Sequence, residues 1–429
     1  MRQSLFDGRS LRKFLTVFGF LVSAASFGQL ATDEVPRQRT VPTRDAVKQE
    51  VENRRYRLGP FRLTPVVQFS DVGYDSNVFG SPKGREVSDW TVGATAGFRW
   101  IVPVGSKLYV VGEALPQYVW YQKLAERRTF AGQYRTALLG FFNRASLEVG
   151  GFNSKSLSYF SAETETKLVQ TILDGTAKAE IDVASNLSLY GGLEVARLRF
   201  GLAGADPTII DVSAFQRQEA AARGGVRYRI SPSWNVSVGY EKTLTEFVYV
   251  RQERDNQSDA YLLGVRYDRP KFFLTLSGGY RQGKPYNGST FARYSNATGS
   301  YFASYFLSRK VEVKTYGRRR VTYGITAAQY LESGIGGGVN VQVSPRVLLQ
   351  WNADAGTNRF DASTSGGVTT AARSDRSISY TGGLSALIYR KMVVSGFATW
   401  SEYRSPETQL NRNVFRFTTS IGFQGLFTR

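Results

Sequence analysis

From residue 61 to the end of the chain, apolar and polar side chains alternate with a period of two. Trp90, Val92, Ala94, Ala96, Phe98 and Trp100 share one parity, while Thr91, Gly93, Thr95, Gly97 and Arg99 share the other. The rhythm recurs over Val226–Ile230, Tyr261–Tyr267, Val311–Tyr316 and Leu331–Val343. A period of two is that of strands with unlike faces.

Tight-turn signals punctuate these strands at Pro103–Ser106, Asn143–Arg144, Ala184–Asn186, Ser231–Ser233, Arg269–Lys271, Ser308–Lys310, Ser344–Arg346 and Tyr389–Lys391. Roughly 40 residues separate successive signals, room for two strands of ~12–15 residues and a longer polar connection. The longer connections include Asp75–Val87, Gly201–Phe215, Gln252–Gln257, Tyr286–Phe291, Asp361–Arg373 and Ser405–Asn411. One tight turn and one long connection per strand pair is the asymmetry of an outer-membrane barrel, with short periplasmic turns and long external loops. A soluble sandwich has no reason to sort its loops this way. Counting strand pairs predicts an all-β, transmembrane, antiparallel up-and-down β-barrel of about 18 strands.

Trp90 and Trp100 supply a dimension. Ten residues apart on one face, at ~3.3 Å per residue and a tilt of ~40°, they span ~25 Å, the height of an apolar band with an aromatic at each rim. Trp234, Phe272, Tyr305 and Tyr389 sit beside predicted turns, where an interfacial girdle belongs. The alternation over Phe415–Phe427 reads as a closing strand of the kind recognised by barrel-insertion machinery, with Thr428 and Arg429 following the last Phe.

The first 60 residues break the rhythm. Arg9, Arg12 and Lys13 precede an apolar run from Phe14 to Phe27, and Ser26 and Gly28 place small residues for cleavage before Gln29. Residues 1–28 therefore read as a secretory signal peptide. Residues 29–60 read as a periplasmic lead-in with one short polar helix over Thr43–Arg55, and residues 61–429 as the barrel. No run approaches the ~18 apolar residues of a membrane-spanning helix.

Composition narrows the chemistry. The 429 residues contain no Cys and no His. That removes thiolate metal sites, disulfides, the commonest general base and His-containing triads, so neither catalysis nor a cofactor is expected. The formal charge of +20 suits an anionic bilayer face or an anionic cargo. Nucleic acid is not expected as a partner, because the signal segment directs the chain out of the cytoplasm. Gly336-Gly337-Gly338 lies inside an alternating strand, so it is a packing feature and not a phosphate loop.

A barrel of this size leaves a lumen unless something fills it. The candidate lumen cations on the polar parity are Arg99, Arg135, Lys178, Arg223, Arg227, Arg229, Arg266, Arg281, Lys314, Arg318, Arg320 and Arg416. Glu113, Glu148, Glu180, Asp182, Glu219, Glu312 and Asp354 are their acidic counterparts. Rings of Arg and Lys favour anions, whereas cross-strand pairing would leave the same groups as a solvated wall. Alternation sends Arg319 outward, to the rim of the membrane band or above it.

The segment Thr64–Phe79, and within it Gly73-Tyr74-Asp75-Ser76-Asn77-Val78-Phe79, resembles the opening of the outer-membrane β-barrel porins associated with exopolysaccharide biosynthesis genes, often called EpsL-like. The resemblance implies an outer-membrane location and a part in exopolysaccharide secretion, with an anionic polysaccharide, periplasmic export components and outer-membrane lipid as partners. It implies no catalytic residues. Physically, Asp75-Ser76-Asn77 is a turn-former. Beside the secretion pore stand two other readings, a general or anion-selective diffusion porin and a structural or adhesive barrel with a plugged lumen. An inward-folding loop would mark the diffusion porin.

Overall fold

In the computed structural model the described residues are 44–424, except 55, 82, 162–163, 202–211, 325–327, 362, 366–367 and 390–391. The signal-peptide reading and Phe427 lie outside them. A helix, α1 (Arg44–Asn53), and a short strand, β1 (Tyr56–Leu58), precede the barrel. Its strands are β2 (Phe61–Asp75), β3 (Asp89–Val104), β4 (Leu108–Tyr121), β5 (Thr129–Phe141), β6 (Ala145–Ser161), β7 (Thr164–Ala184), β8 (Leu187–Gly201), β9 (Arg217–Ser231), β10 (Trp234–Phe247), β11 (Asn256–Asp268), β12 (Phe272–Pro285), β13 (Tyr294–Phe306), β14 (Val311–Thr322), β15 (Tyr330–Ser344) and β16 (Val347–Phe360). A small hairpin, β17 (Ser363–Ser365) and β18 (Val368–Thr370), rides on the next connection. The wall ends with β19 (Arg373–Tyr389), β20 (Met392–Arg404) and β21 (Arg412–Gln424).

Each barrel strand pairs antiparallel with the next, and β21 pairs back onto β2 from Val66↔Gln424 to Asp75↔Arg416. The result is a closed barrel of 18 strands, with no edge left to template another chain. Seven of the eight tight turns join strands where the turn signals fall, and the eighth signal, Tyr389–Lys391, runs into residues outside the described ones. Three connections escape that reading: residues 122–128, with a 3-10 turn at Ala125–Arg127, residues 323–329, and the link between β6 and β7, which falls at 162–163 outside the described residues. The connection anticipated at Gln252–Gln257 lies earlier, at residues 248–255, because Asn256 and Gln257 already pair with Pro285 and Lys284. β6 and β7 run to 17 and 21 residues, longer than the anticipated span, because their polar outer halves keep pairing out to Ser161↔Thr164.

The apolar parity faces outward. Trp90, Phe98, Leu193, Val195, Val238, Leu263, Ile335 and Trp351 are exposed along the wall, as lipid requires. Aromatics gather at both ends of this band. At the turn end, Trp234 and Tyr267 approach to 4.6 Å, Tyr267 and Phe272 to 5.7 Å, and Phe272 and Tyr305 to 6.4 Å between ring centroids. At the loop end the pairs are Tyr74–Trp90, Tyr118–Phe130, Tyr240–Tyr261 and Tyr380–Trp400. Cross-strand aromatic pairs stabilise a sheet by about 0.2–1 kcal/mol each.

The apolar core is small because the barrel interior is polar, and most of it sits at the two ends. At the turn end, Val47 and Val51 of α1 pack on the inward side chains Ile101, Tyr109, Val111, Leu139 and Phe141. Arg44 donates to the Ser106 carbonyl at 2.9 Å, and the buried Arg54 reaches Glu50 and the Arg62 carbonyl. The helix therefore lies against the inner wall and narrows that mouth.

Candidate functional site: the pore wall and its mouth

The inward parity carries the charge. All twelve candidate cations occupy inward positions, and most meet an acid across the sheet. Arg99 reaches Glu113 at 3.0 Å and Arg135 reaches Glu148 at 2.8 Å. Arg223 lies 2.7 Å from Glu194 and 3.8 Å from Glu241, and Arg281 lies 2.6 Å from Glu241. Arg227 pairs with Glu180. Cross-strand register sets this pattern, since Arg99↔Glu113, Glu113↔Arg135, Glu148↔Lys178 and Arg223↔Glu241 are directly opposed. The outcome is a ladder of alternating sign around one side of the lumen. Lys178 takes its place in it opposite Glu148.

On the other side, Arg318 and Arg320 share Glu332, at 2.9 and 3.0 Å. Tyr316 donates to Asp354 at 2.6 Å, directly over Gly336, where a Cβ would stand 2.3 Å from the Asp354 carboxylate and 2.5 Å from the Tyr316 ring. Gly336 is bare because this hydrogen bond crosses it. Lys314 lies between Glu312 and Tyr316 on the same parity. Arg266 pairs with Asp268 at 3.4 Å beside the Phe273 ring. Arg229 is exposed near the turn end, and Arg319 points outward, donating to the Ala297 carbonyl at 3.1 Å. Glu194, Glu241, Glu332 and Asp75 act as acidic partners beyond those anticipated, so the wall is nearer neutrality than its list of cations suggests.

Gly73–Phe79 forms the seam of the barrel. Arg416 of the last strand reaches Asp75 of the first at 2.9 Å. The Ser76 N–H donates to the Phe415 carbonyl at 3.0 Å, and the Phe415 N–H returns to Ser76 Oγ at 2.9 Å. Asp75 Oδ1 accepts from the Asn77 N–H at 3.0 Å, an Asx turn, and the Asn77 side chain brackets Ser81 through two hydrogen bonds. Gly73 sits at a bulge, where a Cβ would fall 1.8 Å from the Phe417 carbonyl oxygen. These residue types meet local backbone demands of barrel closure.

The loop end holds a collar that the parity pattern does not reveal. The fully buried Arg127 lies over Phe79 and Tyr121, at 4.7 and 5.8 Å. Arg217 lies over Phe200 and Tyr323, Arg254 over Phe215 and Phe247, Arg373 over Phe360 and Arg412 over Tyr403, all within 6.0 Å of the ring centroid. Such contacts contribute about 0.5–2 kcal/mol each. They hold the connections inward: Phe215, on a 3-10 turn, packs on the inward Leu168, Leu198 and Phe200. Arg254 donates to the Gly324 carbonyl at 3.0 Å, and the Tyr323 hydroxyl accepts from Thr245 at 3.1 Å and donates to Asn256 Oδ1 at 3.0 Å. Burial pushes the Tyr323 hydroxyl up to about 12, so it remains a donor. The sequence does hold one signal for this collar, since Arg217, Arg373 and Arg412 each open a strand after a long connection.

Three solved structures share the fold. A BenF-like porin from Pseudomonas fluorescens Pf-5 matches with a TM-score of 0.52 and 10% identity over 86% of this chain and 99% of its own. OccK2 (OpdF) of Pseudomonas aeruginosa, solved in complex with glucuronate, gives 0.51 and 11% over 86% and 99%. OccAB3 of Acinetobacter baumannii gives 0.50 and 10% over 86% and 100%. No protein-family profile and no curated protein matches the sequence. The fold is that of an outer-membrane porin barrel, which places the chain in the bacterial outer membrane. The tight turns then face the periplasm and the long connections face outside.

Proposed function

We propose that this protein is a diffusion porin that passes small anionic solutes. One observation carries the reading: Phe215, Arg254 and Tyr323, each on a different external connection, lie over the inward side of the wall and join one another through ring contacts and hydrogen bonds at the external mouth. An inward-folded mouth suits selection among small solutes better than passage of a polymer. Two further features support an anion preference. The collar builds Arg127, Arg217, Arg254, Arg373 and Arg412 into the wall of the entrance, most of them buried, with Arg217 paired to Glu219 and Arg373 to Asp375 and Glu407, and an excess of cations at a pore favours anions. The OccK2 (OpdF) barrel, alike in fold, was solved with a carboxylated sugar.

The exopolysaccharide reading rests on Gly73–Phe79, whose residues already have a local task at the seam, and no comparison supports it. In the porin reading the partners are outer-membrane lipid and the barrel-insertion machinery, and no export component or polysaccharide is required.

Reconstitution of the purified barrel in planar bilayers tests the proposal. Open channels without any partner, a reversal potential on the anion side under a salt gradient, and faster flux of glucuronate than of uncharged glucose are expected. A silent or cation-preferring barrel would refute it. A fall in secreted exopolysaccharide in a strain lacking the chain, restored with the barrel, would return the secretion reading to first place.

A further inference from the structure

The lipid-facing wall carries a concentration of cations, spread over three neighbouring strands, that neither its apolar character nor the pore explains. Arg376 of β19 and Arg404 of β20 are directly opposed in register and both exposed. Arg359 of β16 is exposed on the same face, and its partner Ser374 lies two residues from Arg376. Like charges directly opposed across strands destabilise a sheet, and a diagonal neighbour ~7–8 Å away still feels the field. Glu402 pairs with Arg404 from the next outward position. Asp361 is exposed just beyond Arg359, while Asp375 and Glu407, near Arg376 and Arg404 in sequence, are both engaged by Arg373. Among the described residues, no ion pair holds Arg359 or Arg376.

Height identifies what would compensate. Tyr380 and Trp400, stacked at 5.8 Å and 19°, mark the external aromatic girdle on these same two strands. Arg376 and Arg404 lie four residues farther out, or ~10 Å along the membrane normal at ~3.3 Å per residue and ~40° tilt. Above an aromatic girdle lie lipid headgroups. A planar guanidinium binds phosphate through two parallel hydrogen bonds, and adjacent guanidiniums can share one phosphate. We infer that Arg359, Arg376 and Arg404 form a docking site for the phosphate of an anionic lipid headgroup in the outer leaflet. The site lies on the outside of the barrel and does not depend on what passes through it.

The test uses the full barrel in nanodiscs of phosphatidylcholine doped with diphosphorylated lipid A, or with the same glycolipid stripped of phosphate, with retained glycolipid counted by native mass spectrometry. The wild-type barrel should retain the phosphorylated form over the stripped form by about tenfold, equivalent to ~1.4 kcal/mol. The triple variant Arg359→Gln, Arg376→Gln, Arg404→Gln should lose that preference, while Arg319→Gln keeps it. Equal retention of the two glycolipids by the wild-type barrel would overturn the inference, and that arm stands even if the triple variant assembles poorly. Unchanged preference in a folded triple variant would also overturn it.

Discussion

The Arg254 guanidinium donates to the Gly324 carbonyl at 3.0 Å, joining two external connections that are 70 residues apart in sequence. Arg254 also lies over the rings of Phe215 and Phe247, so one side chain links three segments of the mouth. Charged hydrogen bonds of this kind stabilise by about 1.5–3 kcal/mol. Arg254→Ala should therefore leave the barrel folded but loosen the constriction. Single-channel records should show higher mean conductance and more frequent switching between substates. An unchanged trace would mean that the mouth is held by other contacts.

The seam should be the most sensitive part of the wall. Asp75 and Arg416 are both largely buried, and removing one member of a buried pair costs about 3–5 kcal/mol. Asp75→Ala should lower the thermal transition of the folded barrel, read by heat-modifiable gel mobility. Gly73→Val should be more severe, because its side chain would begin 1.8 Å from the Phe417 carbonyl oxygen. Little folded barrel should then reach the outer-membrane fraction. Normal amounts of either variant would show that the closing strands tolerate a shifted register.

The helix at the periplasmic mouth makes a separate prediction. Val47 is 4% exposed against Ile101, Tyr109, Leu139 and Phe141. Val47→Asp with Val51→Asp would bury unpaired carboxylates in this apolar patch, at a cost of several kcal/mol. The helix should leave the wall, and channel conductance should rise. Equal conductance would show that α1 does not narrow the current path.

A pH effect should appear at the external connection after β10. Asp255 is buried with one carboxylate oxygen accepting from the Phe247 N–H at 2.7 Å, and burial holds its carboxyl above the ordinary carboxylate range. The folded state therefore binds this proton more tightly than the unfolded chain does. Stability from this group falls as pH rises from the unfolded value through the raised one, and returns on acidification. Amide exchange at Phe247, taken relative to the intrinsic rate at each pH, should be more protected at mildly acidic than at neutral pH. Asp255→Asn keeps the acceptor without the charge and should remove that difference. Lower relative protection on acidification would reverse the assignment.

The wall was legible in the sequence because a strand declares itself locally. Ser231–Ser233 and Arg269–Lys271 announce turns through neighbouring residues, and parity alone tells Arg227 from Val226. The ion pairs were half legible. Arg223 and Arg281 stand out as cations on the polar parity, but Glu241 becomes their shared counterpart only once register brings it beside them. The collar was hidden because its pairs come from separate segments, as with Arg217 and Tyr323. No periodicity links such residues, and the connection at 323–329 carries no strong turn signal to place it. The seam shows the opposite case: its residues were conspicuous as a motif, yet their task was invisible until Phe415 and Arg416 lay beside them.

The pairing of β2 with β21 also fixes an order of events during assembly. Arg416 and Asp75 are 341 residues apart, close to the longest separation the barrel contains. Every other strand can pair with a neighbour made just before it, whereas β2 must wait for the last segment to arrive. Until then the sheet has two open edges, each a template for adhesion to another chain, and the closing contact carries the largest loop-closure penalty. A chain cut short before residue 412 would keep both edges open, however well its other strands had paired. The closing strand, Arg412–Gln424, thus acts as a check that the strands before it have been made.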